Sequence, residues 1–180
     1  METRALGRTG LLVSAVGICP GDGPSRDGVI RRALDLGCRL FASERPIDGA
    51  VTVPGSLREG FGLVRYNLLD QKDANAEIAR LSREGKGVLA TGVLAAGALA
   101  GRPSPERAAR VAQLGPLVRP GRTLAQAAVQ FVLANESVTA ALVRVSDPRR
   151  VDEVLAAPEA PPLSARDLEL IFECWANRHD

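Results

Sequence analysis

Between Leu63 and Gly101 the chain reads LVRYNLLDQKDANAEIARLSREGKGVLATGVLAAGALAG, and this stretch leaves few folds open to it. Residues 63–69 form a short apolar run broken only by Arg65, Tyr66 and Asn67. Residues 70–84 carry Ala74, Ile78 and Leu81 at i, i+4 and i+7, the spacing of a helix packed by one face. Gly85 and Gly87 stop that helix, and residues 88–94 make a second apolar run. A strand, a helix and a strand with tight connections form a βαβ unit, which requires parallel strands and a right-handed crossover.

The chain has room for one such domain, residues 1–180. At 46% hydrophobic and 24% charged residues it can bury a substantial core. A net charge of +2 with intermixed acids, and aromatics at only 3%, argue against a nucleic-acid partner. No run approaches the ~18 apolar residues of a membrane span, and the N-terminus lacks a signal peptide's long apolar region. No membrane association is therefore expected. Cys19, Cys38 and Cys174 have no metal-ligand spacing, and their odd number suits a reducing cytoplasm. No metal site is expected.

Residues 1–12 read as a hairpin and residues 13–19 as the first strand of the sheet. The turn-rich segment Cys19-Pro20-Gly21-Asp22-Gly23-Pro24 follows, with Ser25 or Asp27 as cap of a helix that buries Ile30, Ala33 and Leu34. Residues 38–42 and 49–53 read as strands, 106–118 and 123–135 as helices, and 138–145 as the last strand. Asp147-Pro148 starts a helix with Val151, Val154 and Leu155 inward. Within residues 158–180, a Pro-rich linker leads to Ser164-x-x-Asp167, a capping box opening a helix expected to bury Leu168, Ile171, Phe172 and Trp175.

Several of these segments, in order, resemble the aldo-keto reductase family. The opening RALGRTGLLVS is similar to the family's RxLGxTGLxVS hairpin. Tyr66-Asn67-Leu68-Leu69-Asp70 matches the family's YNLLD, and Gly97, Leu99 and Gly101 match a loop that lies along the cofactor's pyrophosphate. Arg144-x-x-x-Pro148-x-Arg150-x-x-Glu153 resembles the family's segment for the adenine and 2′-phosphate of NADPH. The resemblance implies a (β/α)8 barrel, but such barrels take about 250 residues. The fold expected is α/β, a contracted or incomplete TIM-type (β/α) barrel of about six parallel strands with outer helices, residues 13–157, behind the N-terminal hairpin. Residues 49–53 resemble the family's fifth strand, so the third and fourth βα units have no counterpart. Either the second and fifth strands then pair directly or two edges stay open, and a homodimer covering the gap is expected in the second case.

The resemblance also says what is missing. The family's catalytic tetrad is a Tyr acid, a Lys that lowers its pKa, an Asp and a His. Here Ala42 stands at the Asp position, Ile47 at the Tyr position, and the strands that supply the Lys and His are absent. At the nicotinamide end, Thr52-Val53 replaces a Ser-Asn pair, Leu63 a Gln, Thr91 the stacking aromatic and Gly92-Val93 a Ser-Pro. Arg144, Arg150 and Glu153, with Gly97, Leu99 and Gly101, remain as cofactor-binding candidates for the adenine end. NADPH through that end is open, and a productive nicotinamide pose is not expected.

In such barrels function sits at the C-terminal ends of strands. That points to Cys19 and Asp22 after the first strand, Glu44 and Arg45 after the second, and Arg65 and Asn67 on the sixth. Cys19, Asp22, Glu44 and Arg65 are the catalytic candidates among them, Arg65 by its parity as an inward charge paired to Glu44 or Asp22. A structural ion pair is the plainer reading of that Arg, and a small apolar-like thiol the plainer reading of Cys19. Three functions compete: non-redox conversion of a small-molecule ligand (cyclisation, dehydration or isomerisation), an inactive NADPH-binding or accessory scaffold, and an oxidoreductase built from atypical residues.

Overall fold

The computed structural model describes residues 1–54 and 59–176. A short antiparallel hairpin, β1 (Thr3–Ala5) and β2 (Leu12–Ser14), precedes a six-stranded parallel sheet. The sheet strands are β3 (Val16–Pro20), β4 (Leu40–Ala42), β5 (Val51–Val53), β6 (Phe61–Arg65), β7 (Gly87–Thr91) and β8 (Ala140–Val145). Their order is β5-β4-β3-β8-β7-β6, every described pairing parallel. The first and last sheet strands are neighbours, as closure of a barrel requires, while β5 and β6 form the edges. The result is a curled partial (β/α) barrel, as expected from the sequence.

The curl has a covalent cause. Val53 and Phe61 lie on opposite edges yet are joined by eight Cα steps, which reach about 29 Å at full extension. A flat sheet of six strands is about 24 Å wide, and the connection must also return along the strand length. A flat sheet would hold the connection at about full extension, and curling relieves that demand.

Helices cover one face: α1 (Arg26–Asp35), α2 (Lys72–Arg83), α3 (Pro105–Gln113), α4 (Leu124–Leu133), α5 (Val151–Leu155) and α6 (Ala165–Ala176). Val16, Ile18, Val64, Val88, Ala90, Ala141 and Val143 face them and pack on Val29, Ile78, Leu81, Val129 and Val132. Alternate residues fill the concave face: Leu40, Val53, Phe61, Leu89, Ala140 and Leu142, with Leu6 and Val13 inserted from the hairpin. The hairpin seats itself by backbone approach. A Cβ on Gly7 would lie 2.3 Å from the Gly87 nitrogen, and the Arg8 amide donates to the Gly85 carbonyl at 3.1 Å. Gly87 starts β7, so the hairpin plugs the N-terminal end of the sheet and leaves the C-terminal mouth clear.

Four expectations are corrected. The hairpin runs through Ser14, so the first sheet strand begins at Val16. The YNLLD segment is a turn that follows β6, not the end of a strand: Asn67 Oδ1 accepts from the amides of Leu69 (2.9 Å) and Asp70 (3.0 Å), an Asx turn. The strand read as the family's fifth pairs directly with the second, Leu40 with Val51 and Ala42 with Val53, and occupies the place of a third stave. Among the described residues, direct pairing and two edge strands, β5 and β6, therefore occur together. Finally, α6 buries Ile171 but leaves Leu168 and Phe172 exposed, at 43% and 66%.

The turn of α6 follows from one ion pair. Arg122, without solvent exposure, donates to Asp167 Oδ2 at 2.9 Å and to the carbonyls of Leu117, Pro161 and Pro162. Arg119 also reaches Asp167, whose carboxylate and the Ser164 hydroxyl complete the expected capping box. Asp167 and Ile171 lie on one line of the helix (i, i+4), so residues one position later turn outward.

Candidate functional site

At the C-terminal mouth, the loops after β3 and β4 and the end of β8 enclose a cleft of about 250 Å³. Its walls are Cys19, Pro20, Asp22, Arg26, Ala42, Ser43, Glu44, Arg45 and Arg144. The register explains the grouping: Cys19 lies opposite Arg144 on adjacent strands, and Phe41 opposite Ile18 brings Ala42 to the same level. Gly21 makes the approach tight, its amide donating to the Val145 carbonyl at 2.8 Å with no room for a Cβ beside Ser146.

Two Arg residues in the cleft are held in different ways. Arg26, the first residue of α1, donates to Ser43 Oγ at 2.7 Å and reaches the Pro20 carbonyl at 3.5 Å. Ser43 is in turn fixed by the Arg45 carbonyl, to which it donates at 2.8 Å, and by the Arg45 amide. Arg144 pairs with Asp22 at 3.3 Å, both side chains well exposed. Such pairs are worth roughly 0–1 kcal/mol and exchange readily. Burial pushes the Cys19 thiol above its ordinary pKa; Asp22 adds to the rise, while Arg144 and Arg26 oppose it. The thiol therefore stays protonated at neutral pH.

The structure thus brings together three of the four catalytic candidates, Cys19, Asp22 and Glu44, and adds Arg144 from the cofactor set. Arg65 is not among them. It shares the concave face with Leu63 as its parity requires, but the open edge leaves it exposed, and it pairs with Asp70 at 3.6 Å. The sequence points to Arg45 beside Glu44, and the cleft includes it; Arg26 and Ser43 were passed over. The signal that could have found them is positional: they sit beside candidates at the same two strand ends.

The remaining cofactor candidates form a second cluster. A 3₁₀ segment, Ala95–Ala100, turns at Gly97 (φ +91°) and is closed by Gly101 (φ +83°), conformations that a side chain disfavours. Leu99 points into the core. Arg150 ties this loop to the start of α5, donating to the Ala100 carbonyl at 3.1 Å and to Glu153 at 3.0 Å. Glu153 also accepts from the Thr123 hydroxyl at 2.8 Å, at the N-cap of α4. Arg144 and Arg150, grouped in the sequence, therefore serve different places.

Tyr66, the chain's single tyrosine, is buried in the helical layer with its ring 5.1 Å from that of Phe131, and burial raises its pKa. Lys86 lies in the turn before β7 and pairs with Glu84 at 2.8 Å. Lys72 is the first residue of α2, and His179 falls outside the described residues. Among the described residues, no group of three His, Cys, Asp or Glu side chains is placed to hold a metal, and no helix is long and apolar enough to cross a membrane.

Comparison with known proteins gives the ancestry. A model of the aldo/keto reductase family matches residues 63–176. Among solved structures, aldo-keto reductase AKR11C1 from Bacillus halodurans superposes on the chain in two forms. The apo form has a TM-score of 0.72 at 18% identity, over 97% of this chain and 96% of that one. The holo form has a TM-score of 0.74 at 15% identity over the same shares. At such identities the likeness concerns the fold. No curated protein matches the chain.

Proposed function

This chain belongs to the aldo/keto reductase family, and on that premise we propose that it binds a small molecule in the mouth cleft and converts it by proton transfer rather than hydride transfer. The observation that carries this reading is the cleft itself, where Asp22 and Glu44 stand among Arg26, Arg45 and Arg144. Acids and fixed cations in one concave site are what cyclisation, dehydration or isomerisation needs: a carboxylate to move a proton, and a positive group to stabilise the charge that develops. In this reading Glu44 moves the proton, Arg26 and Arg144 hold the ligand, and the protonated Cys19 forms part of the wall.

The family's reductase chemistry is absent from the reading for reasons of placement. Tyr66 is buried in the helical layer against Phe131 and does not line the cleft, and Lys86 sits at the opposite end of β7. Neither can serve as the acid or its activator at the cleft. The residues fit NADPH at one end only. The glycine turn held by Arg150 suits an adenylate and its phosphates, whereas Leu63 is packed in the concave core and Thr91 offers no stacking face where the redox end would lie. When bound, NADPH supplies hydride in this family. A homodimer covering the β5 and β6 edges belongs to the same proposal.

Deuterium incorporation from D₂O into a panel of small carbonyl and hydroxy compounds, without nicotinamide, tests the conversion. Incorporation by the wild type that Glu44→Gln abolishes supports it; none with any compound contradicts it. The second reading, a non-catalytic NADPH-binding scaffold, is favoured by the Arg150–Ala100 anchor. Calorimetric titration with NADPH checks it: binding that Arg150→Ala removes supports the scaffold, and no binding at millimolar cofactor contradicts it.

A further inference from the structure

The charges around the cleft do not cancel. Three guanidiniums (Arg26, Arg45, Arg144) and two carboxylates (Asp22, Glu44) line it, one more formal positive charge than negative. Asp22 and Arg26 are held in unlike ways. Asp22 follows a Pro-Gly turn, is 92% exposed at its side chain, and touches Arg144 through one long contact of 3.3 Å. Arg26, by contrast, is locked to Ser43 and the Pro20 carbonyl. A fixed cation and a second cation held by a loose, solvent-exposed acid describe a clamp whose second jaw has a temporary occupant.

We propose that the ligand of this cleft carries an anionic oxygen group, a carboxylate or a phosphate, which displaces Asp22 from Arg144 and is held between Arg144 and Arg26. Asp22 is then an internal competitor that keeps Arg144 in place when no ligand is bound. The inference rests on the small-molecule reading of the cleft and adds the chemical class of the ligand to it. Guanidinium groups bind either anion through paired N–H donors, and such charge-assisted contacts are about twice as strong as neutral ones. An exposed acid released from one of them loses little, since water replaces it.

The competition gives a sign that ordinary binding residues do not show. Removing Asp22 should tighten anion binding, while removing Arg144 should weaken it. The probes are benzoate, its neutral isostere benzamide, and inorganic phosphate, titrated into the full chain by calorimetry at low salt. Chemical-shift changes at the Arg26 and Arg144 Nε–H groups locate the site. Benzoate or phosphate should bind the wild type, Asp22→Asn should bind that anion about two- to fivefold tighter, and Arg144→Gln about tenfold weaker or worse. Preference for benzoate over phosphate identifies a carboxylate ligand, and the reverse a phosphate. Both substitutions lie at exposed side chains, so the melting temperature should hold and serves as the check on folding.

Equal or weaker binding by Asp22→Asn would overturn the competitor role, and unchanged binding by Arg144→Gln would overturn the clamp. Benzamide binding as well as benzoate, with shifts at the cleft, would remove the anionic class while leaving the small-molecule site standing. Absence of binding by all three probes would overturn the inference; the separate deuterium-exchange assay then decides the broader reading.

Discussion

Replacing Asp167 with Ala is the most informative test of how the scaffold is held. Arg122 has no solvent exposure and Asp167 is nearly as buried, so the substitution leaves a guanidinium without its counter-charge. Breaking a buried pair from one side costs about 3–5 kcal/mol. The carbonyls of Leu117, Pro161 and Pro162 remain as acceptors for Arg122 and place the expected loss near the lower end. For a chain of this length about 3 kcal/mol lowers the melting temperature by about 6–12 °C. Thermal unfolding followed by circular dichroism reads this directly.

The pH dependence supplies a second check on the same residue. Burial alone would raise the Asp167 pKa, but hydrogen bonds from Ser164 and the guanidinium of Arg122 bring it below the ordinary carboxylate value. A depressed folded pKa contributes stability that is complete above the unfolded value of about 3.9 and is lost as pH falls through the folded one. The gap between wild type and Asp167→Ala should therefore be constant at neutral pH and close below about pH 4. A drop of less than about 2 °C at pH 7, or a gap that widens in acid, would refute the account of α6.

Other substitutions probe separate parts of the structure. Gly7→Ala places a Cβ 2.3 Å from the Gly87 nitrogen at a φ of +54°, and should cost about 2 kcal/mol or more in urea unfolding. Gly10→Ala, at φ +77° with no atom within 4 Å, should cost about 1 kcal/mol; equal losses would contradict the seating of the hairpin on β7. Arg150→Ala frees the Ala100 carbonyl and Glu153, and should lower NADPH affinity at least tenfold if the glycine turn is the nucleotide site. Unchanged affinity would place any nucleotide elsewhere.

Much of the fold could be read from local pattern, because periodicity and glycine punctuation act over a few residues. The Ala74, Ile78 and Leu81 stripe is buried as the helical spacing requires, and Ser164 and Asp167 form the capping box that their spacing announces. What could not be read depends on distant partners. The direction in which α6 faces is set by Arg122, 45 residues away from Asp167. The place of β5 rests on three residue pairs with β4, too few to distinguish a third stave from a fifth by pattern. Arg65 shows the limit most clearly. Alternation puts it on the concave face, but its exposure depends on whether a further strand lies beside β6, which alternation does not encode. In the cleft, Cys19, Asp22 and Glu44 were legible from strand ends, whereas the Arg26–Ser43 bond joins the start of α1 to the loop after β4, 17 residues on.

On the proposed function, this aldo/keto reductase scaffold has kept the barrel mouth and given up hydride transfer. Oxidation of NADPH by a series of simple aldehydes, followed through the cofactor's absorbance, tests it most directly. The account predicts consumption no faster than the uncatalysed rate for every aldehyde, with no deuterium delivered from 4-deuterated cofactor to product. Turnover above that rate, with deuterium found on the product alcohol, would contradict it.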